Sequence, residues 1–506
     1  MRCFKTLLIG LYFLLAGCGE QSSLVHRALP FPTPAQHDLI VVTTPGPLTY
    51  TVDHSGAVVG LEHDLIEAFA AELGVGVRYE IVAPEEIEAA ISAGKAHIAA
   101  GWLHEPLGTD QRATPPILQT RDVIVQHEAS LPLEEHSELI GKTIHVMAGS
   151  RQLETLRAIQ QSIPEMNVVE VSEGDVFALL SDVGNRKIEL AAVDSSLVEI
   201  ASQIVPTLQN TLELSDEVPV VWWLGTRPNA ELADRVSAFV DKVQRDGTLA
   251  RLEDRYFGHV RRLKQADIVK YLGRVETMLP KLRPHFHAAQ IVSGLDWRLI
   301  AAVAYHESQW EPDATSPTGV RGIMMLTAET ADRLGVSNRL DPRESIIAGA
   351  RYLNMLKDFQ PDDVMEPDRT WMALASYNIG PGHFNVARTL ARQEGADPAA
   401  WYEMKRILPL LAQPKYYERL KSGRARGGEA VFLVENIRSY YDILVRHETA
   451  YQPSRRTVEA MLARNETRPG LKLKQPGGPS LKAPVNLGED ADTAAPKESP
   501  SAPNDL

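Results

Sequence analysis

The period of the hydrophobic positions changes once along this chain. From Asp38, short apolar runs alternate with amphipathic stretches. Residues 40–44 read as a buried strand, 63–73 as an amphipathic helix closed by Gly74, and 77–81 as a second strand. Residues 84–93 read as a helix closed by Gly94, and 97–101 as another strand. Strands alternating with helices predict an α/β domain, here over 38–258. A short charged link follows at Arg261, Arg262, Leu263 and Lys264. Beyond it, over 265–451, the helical period dominates. The spacing predicts helices at 270–279, 297–309, 328–334, 345–359 and 371–377, with Pro or Gly near many ends, and few strand signals. The expected architecture is multidomain: an α/β domain, then an all-α-dominated one.

The flanks differ from both. Arg2 and Lys5 precede a short apolar run at 7–16, too short to span a bilayer comfortably. Residues 19–37 are polar with Pro30, Pro32 and Pro34, as expected of a tether. From Gln452 the chain is rich in Pro, Gly, Ala, Ser and mixed charge, so 452–506 is expected to be a disordered tail. The 506 residues suffice for two or three domains. A net charge of −14 argues against nucleic acid as a partner and against broad adhesion to anionic membranes.

One carboxylate draws attention. Asp296 is a fitting N-cap, and Ile300, Val303, Ala304 and Glu307 then share one helix face. An acid on an apolar face loses hydration, which raises its pKa and suits a general acid. Taken alone, a Glu such as Glu307 is more often a capping or salt-bridge residue. No HExxH or paired-Cys spacing is present, so no metal and no cofactor is expected. Gly319 to Gly322 lacks the Lys-Ser or Lys-Thr of a P-loop.

The order of motifs decides between these readings. Glu307-Ser308, Gly322-Ile323-Met324-Met325, Ser376-Tyr377-Asn378 and a late Tyr440 after Val434-Glu435-Asn436-Ile437 occur in sequence. This succession resembles the lytic transglycosylase domain of the soluble-transglycosylase type, related to goose-type lysozyme, whose pattern is Glu-Ser, Gly-Leu-Met-Gln, Ala-Tyr-Asn and a late Tyr. The chain departs from it at Met325, where Gln is usual, and at Ser376, where Ala is usual. The Met-Met ending is similar to one branch, membrane-bound lytic murein transglycosylase F. The resemblance implies a lysozyme-like fold and a peptidoglycan glycan strand as substrate. It implies that Glu307 alone does both proton transfers, leaving a 1,6-anhydro sugar. It places Ser308, Met324, Met325, Tyr377, Asn378 and Tyr440 at the substrate, with Tyr440 in reach of Glu307. Trp310 reads as either a sugar platform or core.

The first domain resembles the two-lobed periplasmic solute-binding proteins of family 3. The matching pieces are Leu48-Thr49-Tyr50, Gly60-Leu61-Glu62-His63-Asp64-Leu65, Ala93 to Ala99, Ala191-Ala192-Val193-Asp194 and Asp246-Gly247-Thr248-Leu249-Ala250. The resemblance implies a ligand such as an amino acid or muropeptide, with Tyr50, Arg112 and Asp194 nearest the expected contacts. Arg112 reads equally as a solvated loop charge, and Asp194 as a helix N-cap. Leu15-Ala16-Gly17-Cys18 resembles the bacterial lipobox, which implies lipidation of Cys18. Gly19 after it points to the outer membrane, on its periplasmic face. Two other readings stay open: a lysozyme-like hydrolase that uses water, with Asp313 as a second acid, and a lipid-anchored sensor with an inactive glycan-binding domain.

Overall fold

The computed structural model describes residues 29–466 apart from 54–55, 107–110, 226–227, 261, 318 and 419–422. Cys18, Arg261 of the link and the tail beyond 466 lie outside the described residues. The described chain forms two compact units. One holds Leu65–Leu118 and Pro219–Asp241 with the described residues up to Pro45; the other holds Gly46–Asp64, Gln119–Val218 and the chain from Lys242 onward.

The first unit is built on a sheet centred on Leu39–Thr43, whose Leu39, Val41 and Val42 are fully buried. Val77–Ile81 and Ile98–Leu103 flank it in parallel, and Val218–Leu224 joins antiparallel to Ile98–Leu103. Arg112–Ala113 pairs antiparallel with Trp223 and Leu224. The helix expected at 84–93 is a 3-10 turn, Pro84–Glu86, running into Ile87–Ser92. Its Ile87 and Ile91 are buried against the sheet.

The second unit begins with a sheet in the order Asn167–Val171, Thr143–Met147, Leu190–Asp194, Asp122–His127, Leu208–Glu213. The first three strands are parallel, Asp122–His127 runs against them, and Leu208–Glu213 pairs antiparallel with Asp122–His127. The helix Thr248–Phe257 follows later in the chain, and from Gln265 every long element is helical. The 297–309 expectation is met by Trp297–Ser308, where the Asp296 side chain accepts from the Arg298 N–H at 2.8 Å. The single helix expected at 270–279 is two, Gln265–Thr277 and Leu279–Ser293, with Pro280 in the first turn of the second, where its missing N–H costs nothing. Pro342–Asp358 and Asp368–Ile379 complete the wall around the site. The 21-residue helix Gly427–His447 packs against both Trp297–Ser308 and Asp368–Ile379.

The tail expectation needs correction at its start. Residues Arg455–Glu466 are helical, Ser454 accepts from the Thr457 N–H, and Met461 packs on the helical core. Composition hid this because one apolar anchor and one cap suffice to dock a short helix on an existing core. Among the described residues no helix is long and apolar enough to cross a membrane.

Candidate active site

Glu307 lies in the last turn of Trp297–Ser308, a helix with ten buried residues. The residue keeps some surface, but its carboxyl is buried and has no hydrogen-bond or ion-pair partner among the described residues. Burial with nothing to compensate it pushes the acid up to about 8. The group is therefore protonated at neutral pH and can donate. The adjoining His306 is pushed down to about 4 by burial and stays neutral.

The segment after the helix is fastened from several sides. Gln309 and Trp310 both have positive φ, which turns the chain sharply out of the helix. The Ser308 hydroxyl donates to the Ile323 carbonyl at 2.8 Å. The Met324 N–H donates to Ser345 Oγ at 3.3 Å, and the Tyr377 hydroxyl donates to the Met324 carbonyl at 2.7 Å. Arg339 donates to the carbonyls of Gly319 and Leu326. Three helices thus hold the Ile323-Met324 backbone beside the acid. Gly322 is required there: its φ is +82°, and a Cβ would sit 1.8 Å from the Arg339 carbonyl oxygen. Met325 follows at φ +46°.

This geometry sorts the expected residues. Glu307 and Tyr377 are brought together; the acid's field reaches the phenol, whose own ionisation is suppressed mainly by burial. Ser308 is buried, and its hydroxyl serves backbone carbonyls rather than Glu307. Met324 is fully buried with its side chain over Gly349, so of the two methionines only Met325 keeps some surface. Asn378 is exposed. Tyr440 sits on another side of the helix, its ring 4.8 Å from Tyr305 and 4.6 Å from Tyr271. Residues 305 and 307 project about 200° apart around a helix, so a ring packed edge-on against Tyr305 lies on the other side from Glu307. Trp310 is core, fully buried, with Nε1 donating to the Ala301 carbonyl. Asp313 is exposed on the loop. Sequence reasoning missed Ser345 and Arg339, whose roles depend on backbone carbonyls and amides that no side-chain pattern marks.

In the solute-binding-like part, Tyr50 is part-buried with its ring edge-on to His63 at 5.8 Å. Arg112 is exposed on its short strand. Asp194 is buried; it accepts from the Ser196 N–H at 2.9 Å and from Thr120 Oγ1 at 2.7 Å, and so caps the helix Ser195–Ser202. A missed neighbour is Arg151, beside the fully buried Asp122 and within the field of Asp194. Its position after Gly149-Ser150 at a strand-to-helix turn is a signal the pattern did carry. Among the described residues no group of His, Cys, Asp or Glu is placed to hold a metal ion.

Comparison with known proteins agrees with both halves. Residues 39–259 match the model for bacterial extracellular solute-binding proteins, family 3, and 285–400 match the transglycosylase SLT domain. Among solved structures, an ancestral arginine-binding protein bound to arginine is similar to 44% of this chain and 98% of its own, at 18% identity and a TM-score of 0.40. The membrane-bound lytic murein transglycosylase F of Nitrosospira multiformis is 40% identical over 89% of this chain and 94% of its own length. The protein of that name from Methylobacillus flagellatus is 40% identical over 82% and 89%. With identity of that level across both domains, the chain belongs to the membrane-bound lytic murein transglycosylase F family, enzymes that join a solute-binding-like part to a lytic transglycosylase domain acting on peptidoglycan.

Proposed function

We propose that Glu307 performs both proton transfers of a non-hydrolytic cleavage between N-acetylmuramic acid and N-acetylglucosamine. The carboxylic acid protonates the bridging oxygen. The sugar left behind is oxocarbenium-like, and its own acetamide can stabilise the charge. The carboxylate then takes the proton from the C6 hydroxyl as that oxygen attacks C1, closing a 1,6-anhydro ring. The observation that carries this reading is an unpartnered carboxyl pushed up to about 8 beside a fastened loop. Tyr377, Met325 and Asn378 offer the sugar a flat face, an apolar contact and an amide. Weighing the products of purified glycan strands tests it. Anhydro ends are expected; reducing ends would assign a hydrolase, and intact strands an inactive glycan binder.

The solute-binding-like domain, in the same proposal, takes a small zwitterion such as an amino acid or muropeptide and alters the cleavage rate. The support is the family match over 39–259. Coupling on the usual scale of about 1–3 kcal/mol would shift the balance between the two states by about fivefold or more. Calorimetry on wild type and Arg112→Ala, followed by cleavage assays with any binder, checks this. Membrane association is assigned to a lipid on Cys18 in the outer membrane, facing the periplasm. The support is the Leu15 to Cys18 motif. Cys18→Ala is expected to leave the membrane fraction.

A further inference from the structure

A cavity of about 310 Å³ lies where the helix Thr248–Phe257 meets the catalytic domain, far along the chain from Glu307. That volume is at the small end of small-molecule sites. Its walls differ in sign. The helix contributes Arg251 and Arg255, one turn apart on the same face. The catalytic side contributes Asp363, Asp368, Asp397 and Trp371.

The groups on these walls are not paired with each other. Arg251 has no ion pair among the described residues, and its hydrogen bond goes to the Thr248 hydroxyl. Arg255 reaches away to Asp64 at 3.0 Å. Asp363 has no hydrogen bond or ion pair among the described residues, and Arg388 lies within its field. Asp368 accepts one backbone N–H, from Trp401, and Asp397 one, from Ala399. Burial raises the Asp368 acid even though Arg255 pulls it down, so its charge is under-compensated. The remaining charges of the cavity are satisfied: Glu366 by Lys357 and Thr370, Asp254 by Lys405, Arg438 by Glu435. A cation alone would leave the arginine wall unmatched, and an anion alone the aspartate wall. An apolar molecule would bury both.

We propose that this cavity binds a zwitterion, a free amino acid or a short peptide, at a site separate from the cleft of the solute-binding-like domain. Its carboxylate lies toward Arg251 and Arg255, where a guanidinium fork suits it. Its ammonium lies toward Asp363, Asp368 and Asp397, and its carbon skeleton covers Trp371. Such a ligand ties the helix 248–257 to the catalytic domain at a point where the two otherwise leave a gap.

The test is calorimetric titration of the full-length protein with L-alanyl-L-alanine, its N-acetyl derivative and its amide. Saturable binding of the free dipeptide is expected, with each capped form at least about tenfold weaker, the scale of one charge-assisted hydrogen bond. Arg251→Gln and Asp368→Asn are each expected to weaken the dipeptide by about tenfold. Asp363→Asn, at an exposed side chain with no hydrogen bond or ion pair, repeats the test at less risk to the fold. No saturable binding at millimolar dipeptide overturns the proposal. So does equal binding of the capped forms, or an affinity indifferent to Arg251→Gln and Asp363→Asn. Loss of binding in Arg112→Ala alone would move the ligand to the other cleft and overturn it as well.

Discussion

Two glutamates of the helical domain make an instructive pair. Glu435 is fully buried on the helix Gly427–His447, and Glu307 is only part-buried on Trp297–Ser308. Both carboxyls are removed from water, yet their pKa values move in opposite directions. Burial alone would raise Glu435, but Arg438 and Lys405 and the Trp401 indole N–H at 2.7 Å hold it below the usual carboxylate range. Glu307 has no such neighbour and goes up to about 8. Burial without a cation yields a proton donor; burial with one yields a strut. The sequence neighbourhood does not reveal which is which, since both sit on amphipathic helices beside apolar residues.

The contrast can be broken from either side. Arg438→Met strands a buried carboxylate, and loss of about 3–5 kcal/mol of stability is expected from urea midpoints. Part of the loss should return in the double variant with Glu435→Gln. Glu307→Gln should do the reverse: a loss of at least about 10²-fold in glycan cleavage with the fold intact. Near-normal turnover by that folded variant would remove Glu307 from its role.

The pH dependence sharpens the same comparison. The folded Glu307 acid sits near 8 against an ordinary 4.5, so between those values the native state holds a proton that the unfolded chain has lost. Stability from this group is therefore lost as pH rises through that window. Glu307→Gln removes the effect, and its melting should exceed wild type by about 1–3 kcal/mol more at pH 8.5 than at pH 5, on the scale of about 1.4 kcal/mol per unit after allowing for relaxation. Wild-type activity should fall as pH passes about 8, because the donor form disappears. The smallest effect is expected from Tyr377→Phe. It frees the Met324 carbonyl and should cost about 0.5–1.5 kcal/mol in stability, with a few-fold lower turnover.

The α/β half and the helical half were legible for different reasons. Apolar runs such as Ile98 to Gly101 and the Asp296 cap carry their structure locally, and the strands Leu39–Thr43, Val77–Ile81 and Ile98–Leu103 and the helix Trp297–Ser308 match expectation within two residues. Tyr440 was read as a neighbour of Glu307 from motif order, yet its ring belongs with Tyr305 and Tyr271. Motif order places residues in one domain but not on one side of a helix. Ser308 looked like a substrate contact and is a loop anchor, because the Ile323 carbonyl it meets is 15 residues away and invisible to side-chain pattern. Asp194 reads in sequence as cap or contact; in the structure it caps Ser195–Ser202 and lies within the field of Arg151.

The link at 261–264 looks in sequence like a clean place to exchange domains between genes. The interface argues otherwise. Arg438 donates to the carbonyls of Asp254 and Arg255, Ser439 to that of His259, and Asp442 meets the His259 ring at 2.5 Å. The long helix of the catalytic domain thus serves as the C-cap of the last helix before the link. A gene fusion at the link would leave buried donors facing whatever end the new neighbour brought. Recombination that preserves folding must therefore carry the segment from Thr248 together with the catalytic domain, and the heritable module begins some fifteen residues earlier than the sequence boundary suggests.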